Sequence, residues 1–168
     1  MITLVLGGAR SGKSVVAERL ASRLPAPVTY LATTMVDPAD DDLADRIATH
    51  TARRPAPWAT IETSPSTLTT VLRTTAGTVL VDSLGAWAAA HPDMAVDITD
   101  LCDALRTRDG DSVVVSDEVG LGVHPSSEVG RHFRDVLGQV NQAVATVAGE
   151  VLLVVAGRTL SLTDVPPS

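Results

Sequence analysis

The sequence predicts an α/β fold, a mostly parallel sheet with helices on both faces, and three observations carry that prediction. Apolar runs of four to six residues, rich in valine and leucine, recur along the chain: 2–6, 28–32, 78–82, 112–116 and 151–156. They alternate with segments of helical spacing, which is the pattern of strands buried on both sides. The first run passes straight into Gly7-Gly8-Ala9-Arg10-Ser11-Gly12-Lys13-Ser14 and then into the helical pattern Val15 to Leu24. That is G-x-x-x-x-G-K-[ST] with a buried strand before it and a helix after it, the context that marks a phosphate-binding loop (P-loop).

Each residue type in the loop has a physical role there. Glycines let the backbone curl into a concave nest whose N–H groups face phosphate oxygens. The helix that follows directs its N-terminal dipole at the same anion. Lys13 supplies a point charge for the outer phosphates, and the Ser14 hydroxyl is placed to ligate magnesium. Lys13 is also the only lysine in the chain, all other basic residues being arginine. A slim ammonium reaches into a nest that a planar guanidinium does not fit. Nucleotide binding by residues 7–14 follows.

Composition bounds the rest. A chain of 168 residues is long enough for one domain with a sizeable core, here residues 1–163 with 164–168 as a frayed tail. Trp58, Trp87, Tyr30 and Phe133 are its only aromatic residues, so the core is aliphatic. A net charge of −7 argues against a nucleic-acid or anionic-membrane surface. Cys102 is the single cysteine, which excludes an intrachain disulfide and a zinc cluster of the C-x-x-C type. The first apolar run is too short for a signal peptide, and no stretch is long enough to span a bilayer. A soluble cytoplasmic domain is expected.

In chain order, Pro25 and Pro27 end the first helix. After the strand 28–32, an acidic cluster (Asp37, Asp40, Asp41, Asp42) begins a helix carrying Leu43, Ile47 and His50, closed by Arg53-Arg54-Pro55. Trp58 to Glu62 reads as a short strand, Ser66 to Arg73 as a helix, and Ala86 to His91 as an alanine-rich apolar segment. Ile98 to Arg108 and Ser127 to Ala148 have helical spacing, and residues 159–162 form a last edge strand.

Ligands of parallel sheets bind beyond the carboxyl ends of the strands. That places the loop, Thr33, Glu62, Asp82 and Glu118 along one rim, with Thr33, Glu62 and Asp82 as candidate nucleotide contacts. Asp82 follows the apolar run Val79-Leu80-Val81, the arrangement of the second magnesium-binding signature of P-loop enzymes, although a strand-end carboxylate also caps turns. Asp117-Glu118 stand in the same position one strand later, with the same two readings open. The imidazole of His50 can attack phosphorus and form a phosphoramidate, and Arg53 and Arg54 can steady a triphosphate by bidentate contacts. Taken alone, a histidine near a helix end also suits a surface position.

Longer segments carry a resemblance. Tyr30-Leu31-Ala32-Thr33, Arg46-Ile47 with His50 and Arg54-Pro55, Val81-Asp82-Ser83-Leu84 with Trp87, Glu118-Val119-Gly120-Leu121-Gly122, Phe133-Arg134-Asp135, Gly138-Gln139-Val140-Asn141-Gln142 and Val154-Val155-Ala156-Gly157 join the loop in one pattern. From Met1 to about Leu162 the chain resembles the bifunctional adenosylcobinamide kinase/adenosylcobinamide-phosphate guanylyltransferase family of cobalamin biosynthesis. The resemblance implies a RecA-like fold and two reactions. A nucleoside triphosphate (GTP or ATP) phosphorylates adenosylcobinamide. A family histidine, His50 here, then attacks the α-phosphorus of GTP, and adenosylcobinamide phosphate takes the GMP to give adenosylcobinamide-GDP. It further implies Lys13 and His50 as catalytic residues, Ser14 and Asp82 as holders of Mg2+, Glu62 at the nucleotide ribose or base, and a homotrimer.

The chain departs from the family pattern in places. Asp117 stands where asparagine is common, Thr49 precedes His50 where a second histidine is frequent, and Ala88-Ala89-Ala90 replace more polar residues after Trp87. Two other functions stay open on the residues alone: a single-function small-molecule kinase, and a non-catalytic nucleotide switch. An N-K-x-D guanine-reading segment is ruled out by the single lysine, so guanine preference rests on the resemblance.

Overall fold

Valine and leucine suit a pleated surface buried on both sides, and the apolar runs are strands in the computed structural model, which describes residues 1–34 and 56–164. The acidic cluster 37–42, the helix expected to carry His50, and Arg53 and Arg54 lie outside the described residues, as does the chain beyond Asp164.

Seven strands form one sheet in the order β3-β2-β4-β5-β1-β6-β7. They are β1 (Ile2–Gly7), β2 (Val28–Ala32), β3 (Ala59–Glu62), β4 (Thr78–Asp82), β5 (Ser112–Asp117), β6 (Glu150–Val155) and β7 (Arg158–Leu162). All neighbours pair parallel except β6 and β7, an antiparallel hairpin at one edge. The helices among the described residues are α1 (Lys13–Ala21), α2 (Leu68–Thr74), α3 (Leu84–Ala89), α4 (Ile98–Thr107) and α5 (Glu128–Val147). A 3-10 turn, Pro92–Met94, follows α3.

Side chains of the central strands alternate between two apolar clusters. Leu4, Leu6, Leu31, Val79, Val81 and Val114 pack under α2 to α5 on one face. Val5, Tyr30, Leu80, Val113, Val115 and Val154 pack with Ala17 and Ala21 of α1 on the other. Helices therefore cover both faces, and the buried strands read as largely apolar runs, with Thr3 and Thr29 buried among them. The edge strands differ: every residue of β3 and of β7 is exposed.

Helix ends depart from expectation by a few residues, each for a local reason. The first helix spans 13–21 rather than 15–24. It starts where Gly12 leaves the left-handed region (φ 92°), and it closes with Arg23 N–H donating to the Leu20 carbonyl two residues before Pro25. The next begins at Leu68 because Ser64 and Thr67 form a hydroxyl-rich turn, the Ser64 amide donating to Thr67 Oγ1 at 3.0 Å. Side chains of Ser83, Asp97 and Ser127 cap α3, α4 and α5 by accepting from Ala86, Asp100 and Gly130 amides. No described helix is long and apolar enough to cross a membrane.

Candidate active site

Register decides which strand-end residues become neighbours. On β5, Asp117 lies opposite Gly7 of β1, while Val115 lies opposite Asp82 of β4. The loop after β1, the carboxylate ending β5 and the carboxylate ending β4 thus stand side by side on one rim. Thr33 follows the next strand along: its amide donates to the Asp82 carbonyl at 3.3 Å. Glu62 ends β3, four strand spacings from β1, about 19 Å along the rim.

The loop is held from both sides. Glu118 N–H donates to the Gly7 carbonyl at 3.0 Å, and Gly157 N–H donates to the Ser11 carbonyl at 2.7 Å. Gly157 belongs to the β6–β7 turn, where Ala156 (φ 51°) and Gly157 (φ 73°) both sit in the left-handed region that two-residue hairpins require. The turn presses close: a Cβ on Gly12 would stand 3.2 Å from Gly157 Cα. Replacing Gly157 with alanine forces a left-handed alanine, at about 1 kcal/mol or somewhat more. Calorimetry should show a melting temperature lowered by about 2–4 °C, and an unchanged value would contradict the strained turn.

Lys13 opens α1 and turns back across the loop. Its Nζ donates to the Gly8 carbonyl at 3.3 Å and pairs with Asp117 Oδ1 at 2.8 Å. Asp117 Oδ2 faces the Ser83 hydroxyl at 3.5 Å, and Ser83 in turn caps α3. The Tyr30 hydroxyl donates to Asp82 Oδ2 at 2.9 Å, bringing β2 and β4 together beneath the rim. Thr33 is buried, its hydroxyl accepting from Ser83 N–H at 2.8 Å and donating to the Ser83 carbonyl at 2.6 Å. Those two bonds fix the turn that follows Asp82.

Of the expected site residues, Gly7 to Ser14, Thr33 and Asp82 are therefore gathered at adjacent strand ends. Glu62 is on the same rim but distant, and His50, Arg53 and Arg54 fall outside the described residues. The pairing of Asp117 with Lys13 is not visible in the sequence. Asn141, also unforeseen, is buried: its Oδ1 accepts from Ser116 at 2.6 Å and its Nδ2 donates to the Asp117 carbonyl at 3.0 Å. An asparagine within the apolar stripe Leu137, Val140, Val144 was the available signal, since a polar group there needs a buried partner.

A glycine-rich loop leading into a helix, a lysine inside it, and carboxylates at the ends of neighbouring parallel strands define the class: a P-loop nucleotide-binding α/β protein with a RecA-like sheet. Solved structures agree on the fold. A prototypical ATPase from the type III secretion system of pathogenic bacteria superposes with a TM-score of 0.60 at 12% identity, over 95% of this chain and 56% of that one. The assembled ATPase EscN of enteropathogenic E. coli gives 0.57 at 12% identity, over 92% of this chain and 43% of that one. The chain thus spans only about half the length of those proteins.

Sequence comparison is more particular. Residues 3–162 match the cobinamide kinase/cobinamide phosphate guanyltransferase family. The bifunctional adenosylcobalamin biosynthesis protein CobP of Pseudomonas aeruginosa is 38% identical over 99% of both chains. Its counterpart CobU of Salmonella typhimurium is 39% identical over 94% of this chain and 97% of its own. This chain belongs to the cobinamide kinase/cobinamide phosphate guanyltransferase family.

Proposed function

We propose that this protein carries out both reactions of its family on adenosylcobinamide, using the loop at residues 7–14 for the nucleotide and His50 for guanylyl transfer. The observation that supports it most is the family match across residues 3–162, on a chain whose Lys13 reaches over the loop toward acidic strand ends.

In the first reaction the aminopropanol hydroxyl of the corrinoid attacks the γ-phosphorus of a nucleoside triphosphate. An O–P bond forms, the bond to the diphosphate breaks, and the hydroxyl proton leaves to solvent or to a rim carboxylate. Loop amides and Lys13 hold the outer phosphates in place as charge redistributes among their oxygens. In the second reaction an imidazole nitrogen of His50 attacks the α-phosphorus of GTP and pyrophosphate leaves. The corrinoid phosphate oxygen then displaces the imidazole, so the P–N bond is exchanged for a P–O bond. Arg53 and Arg54, three and four residues beyond His50, are assigned to the triphosphate, and Glu62 to the ribose or base.

Magnesium suits the rim. Its hydroxyl and carboxylate oxygens are the donors a small hard cation takes, and one or two carboxylates beside phosphate oxygens are enough. Ser14 and Asp82 would hold the ion, which when bound neutralises phosphate charge. The family resemblance also supports a homotrimer in the cytoplasm, which sedimentation and cell fractionation address.

The decisive experiment is incubation with magnesium and GTP labelled at the α-phosphate. Wild-type protein should retain label in an acid-labile, base-stable adduct and release pyrophosphate, while His50→Ala retains none yet still phosphorylates cobinamide. An adduct that survives in the variant would move the nucleophile elsewhere. Its absence from wild type would leave a kinase alone.

A further inference from the structure

Lysine carries three N–H donors, and the position of Lys13 accounts for two of them. One goes to the Gly8 carbonyl and one to Asp117 Oδ1, leaving the third without a partner among the described residues. The acceptor that holds it is itself restrained. Asn141 fastens the backbone of Asp117 through its carbonyl, and the Ser83 hydroxyl faces Oδ2. Gly85, at the start of α3, leaves the space the carboxylate occupies: a Cβ there would come within 2.3 Å of Oδ2. The carboxylate is thus located by β4–α3, by α5 and by its own strand, and only 12% of the Lys13 side chain is exposed.

We propose that Asp117 is a positioning residue for Lys13: it aims the ammonium over the loop, so that the remaining donor faces the outer phosphates before nucleotide arrives. The inference rests on the nucleotide-binding reading above and goes beyond it, because it assigns a carboxylate to the orientation of the lysine and not to the metal. Holding the chain in one rotamer beforehand lowers the ordering cost of binding. The geometry requires an oxygen acceptor at the Oδ1 position and not a full negative charge. A magnesium ligand would require the charge.

The test compares Asp117→Ala and Asp117→Asn with the parent chain, titrating the full-length protein with MgATP and MgGTP by calorimetry. Magnesium dependence of the kinase reaction is measured in parallel. Asp117→Ala should weaken triphosphate binding about tenfold, and Asp117→Asn, which keeps an amide oxygen, should recover most of that loss with an unshifted magnesium midpoint. Should the alanine variant not fold, Asp117→Ser, whose hydroxyl is too short to reach Nζ, takes its place. Binding by the alanine or serine variant as tight as the parent's overturns the inference, and so does an asparagine variant as weak as alanine, above all with a raised magnesium requirement. A parent chain that binds neither nucleotide removes the nucleotide-binding reading itself, and this inference with it.

Discussion

Lys13→Ala is expected to lower kcat/KM of both transfer reactions by about a hundredfold to a thousandfold, the range for deleting one donor aimed at developing charge. The side chain is mostly buried, its Nζ lies 3.3 Å from a carbonyl of its own loop, and it is the only lysine available. Lys13→Arg should rescue little. A guanidinium is planar and bulkier, and the space between Gly8 and Asp117 accommodates a point charge. The loss should not come from unfolding, because a partly exposed ion pair contributes about 1 kcal/mol at most. Circular dichroism melts of wild type and both variants should lie within a few degrees. Activity within tenfold of wild type in Lys13→Ala would remove the loop from the chemistry.

The second large effect concerns stability, at the opposite end of the sheet. Arg108 is 7% exposed and sits just after α4. Its guanidinium has five N–H donors, and all five are used. Nε donates to the Leu72 carbonyl, Nη1 to the Asp111 carbonyl and the Ser112 hydroxyl, and Nη2 to the Thr75 and Gly77 carbonyls, at 2.6–3.3 Å. One side chain therefore ties the end of α2, the turn into β4 and the turn into β5. Burial pulls its pKa below the ordinary arginine value, with Asp111 and Asp109 opposing that shift. Arg108→Ala leaves several inward carbonyls without a donor. The expected cost is about 3–5 kcal/mol, which for a domain of this size lowers the melting temperature by about 10 °C or more. Arg108→Lys should recover only part, having three donors in a different geometry. A shift under about 4 °C for alanine would mean that water replaces the guanidinium at little cost.

Much of the fold was legible because burial on both faces leaves a plain mark: runs rich in valine and leucine with no charged residue inside them. The strands at 2–7, 28–32, 78–82 and 112–117 appear where those runs are, and Asp82 ends its strand as expected. The loop was legible because its chemistry demands residue types in fixed order. Harder to see was anything set by contact between distant segments. Arg108 reads as an ordinary basic residue at a helix end, since four of its five acceptors are backbone carbonyls and the fifth is the Ser112 hydroxyl. Asp117 reads as a strand-end acid until parallel register brings it opposite Gly7. Gly85, just before the alanine-rich segment read from the sequence, draws no notice there, when its missing side chain is what admits a carboxylate. Helix ends shifted where a hydroxyl or a left-handed glycine, rather than apolar spacing, decided the boundary.

The placement of β1 between β5 and β6 carries a consequence for biogenesis. Strand β1 is made before both its flanking partners, which are translated more than a hundred residues later. During that interval the ligand cradle has a lysine but neither its acidic neighbour nor the hairpin tip that braces it. Long-range pairing of this kind slows folding and prolongs exposure of sticky surface. Expression trials should find that chains stopped before Gly157 are degraded even when nucleotide is abundant.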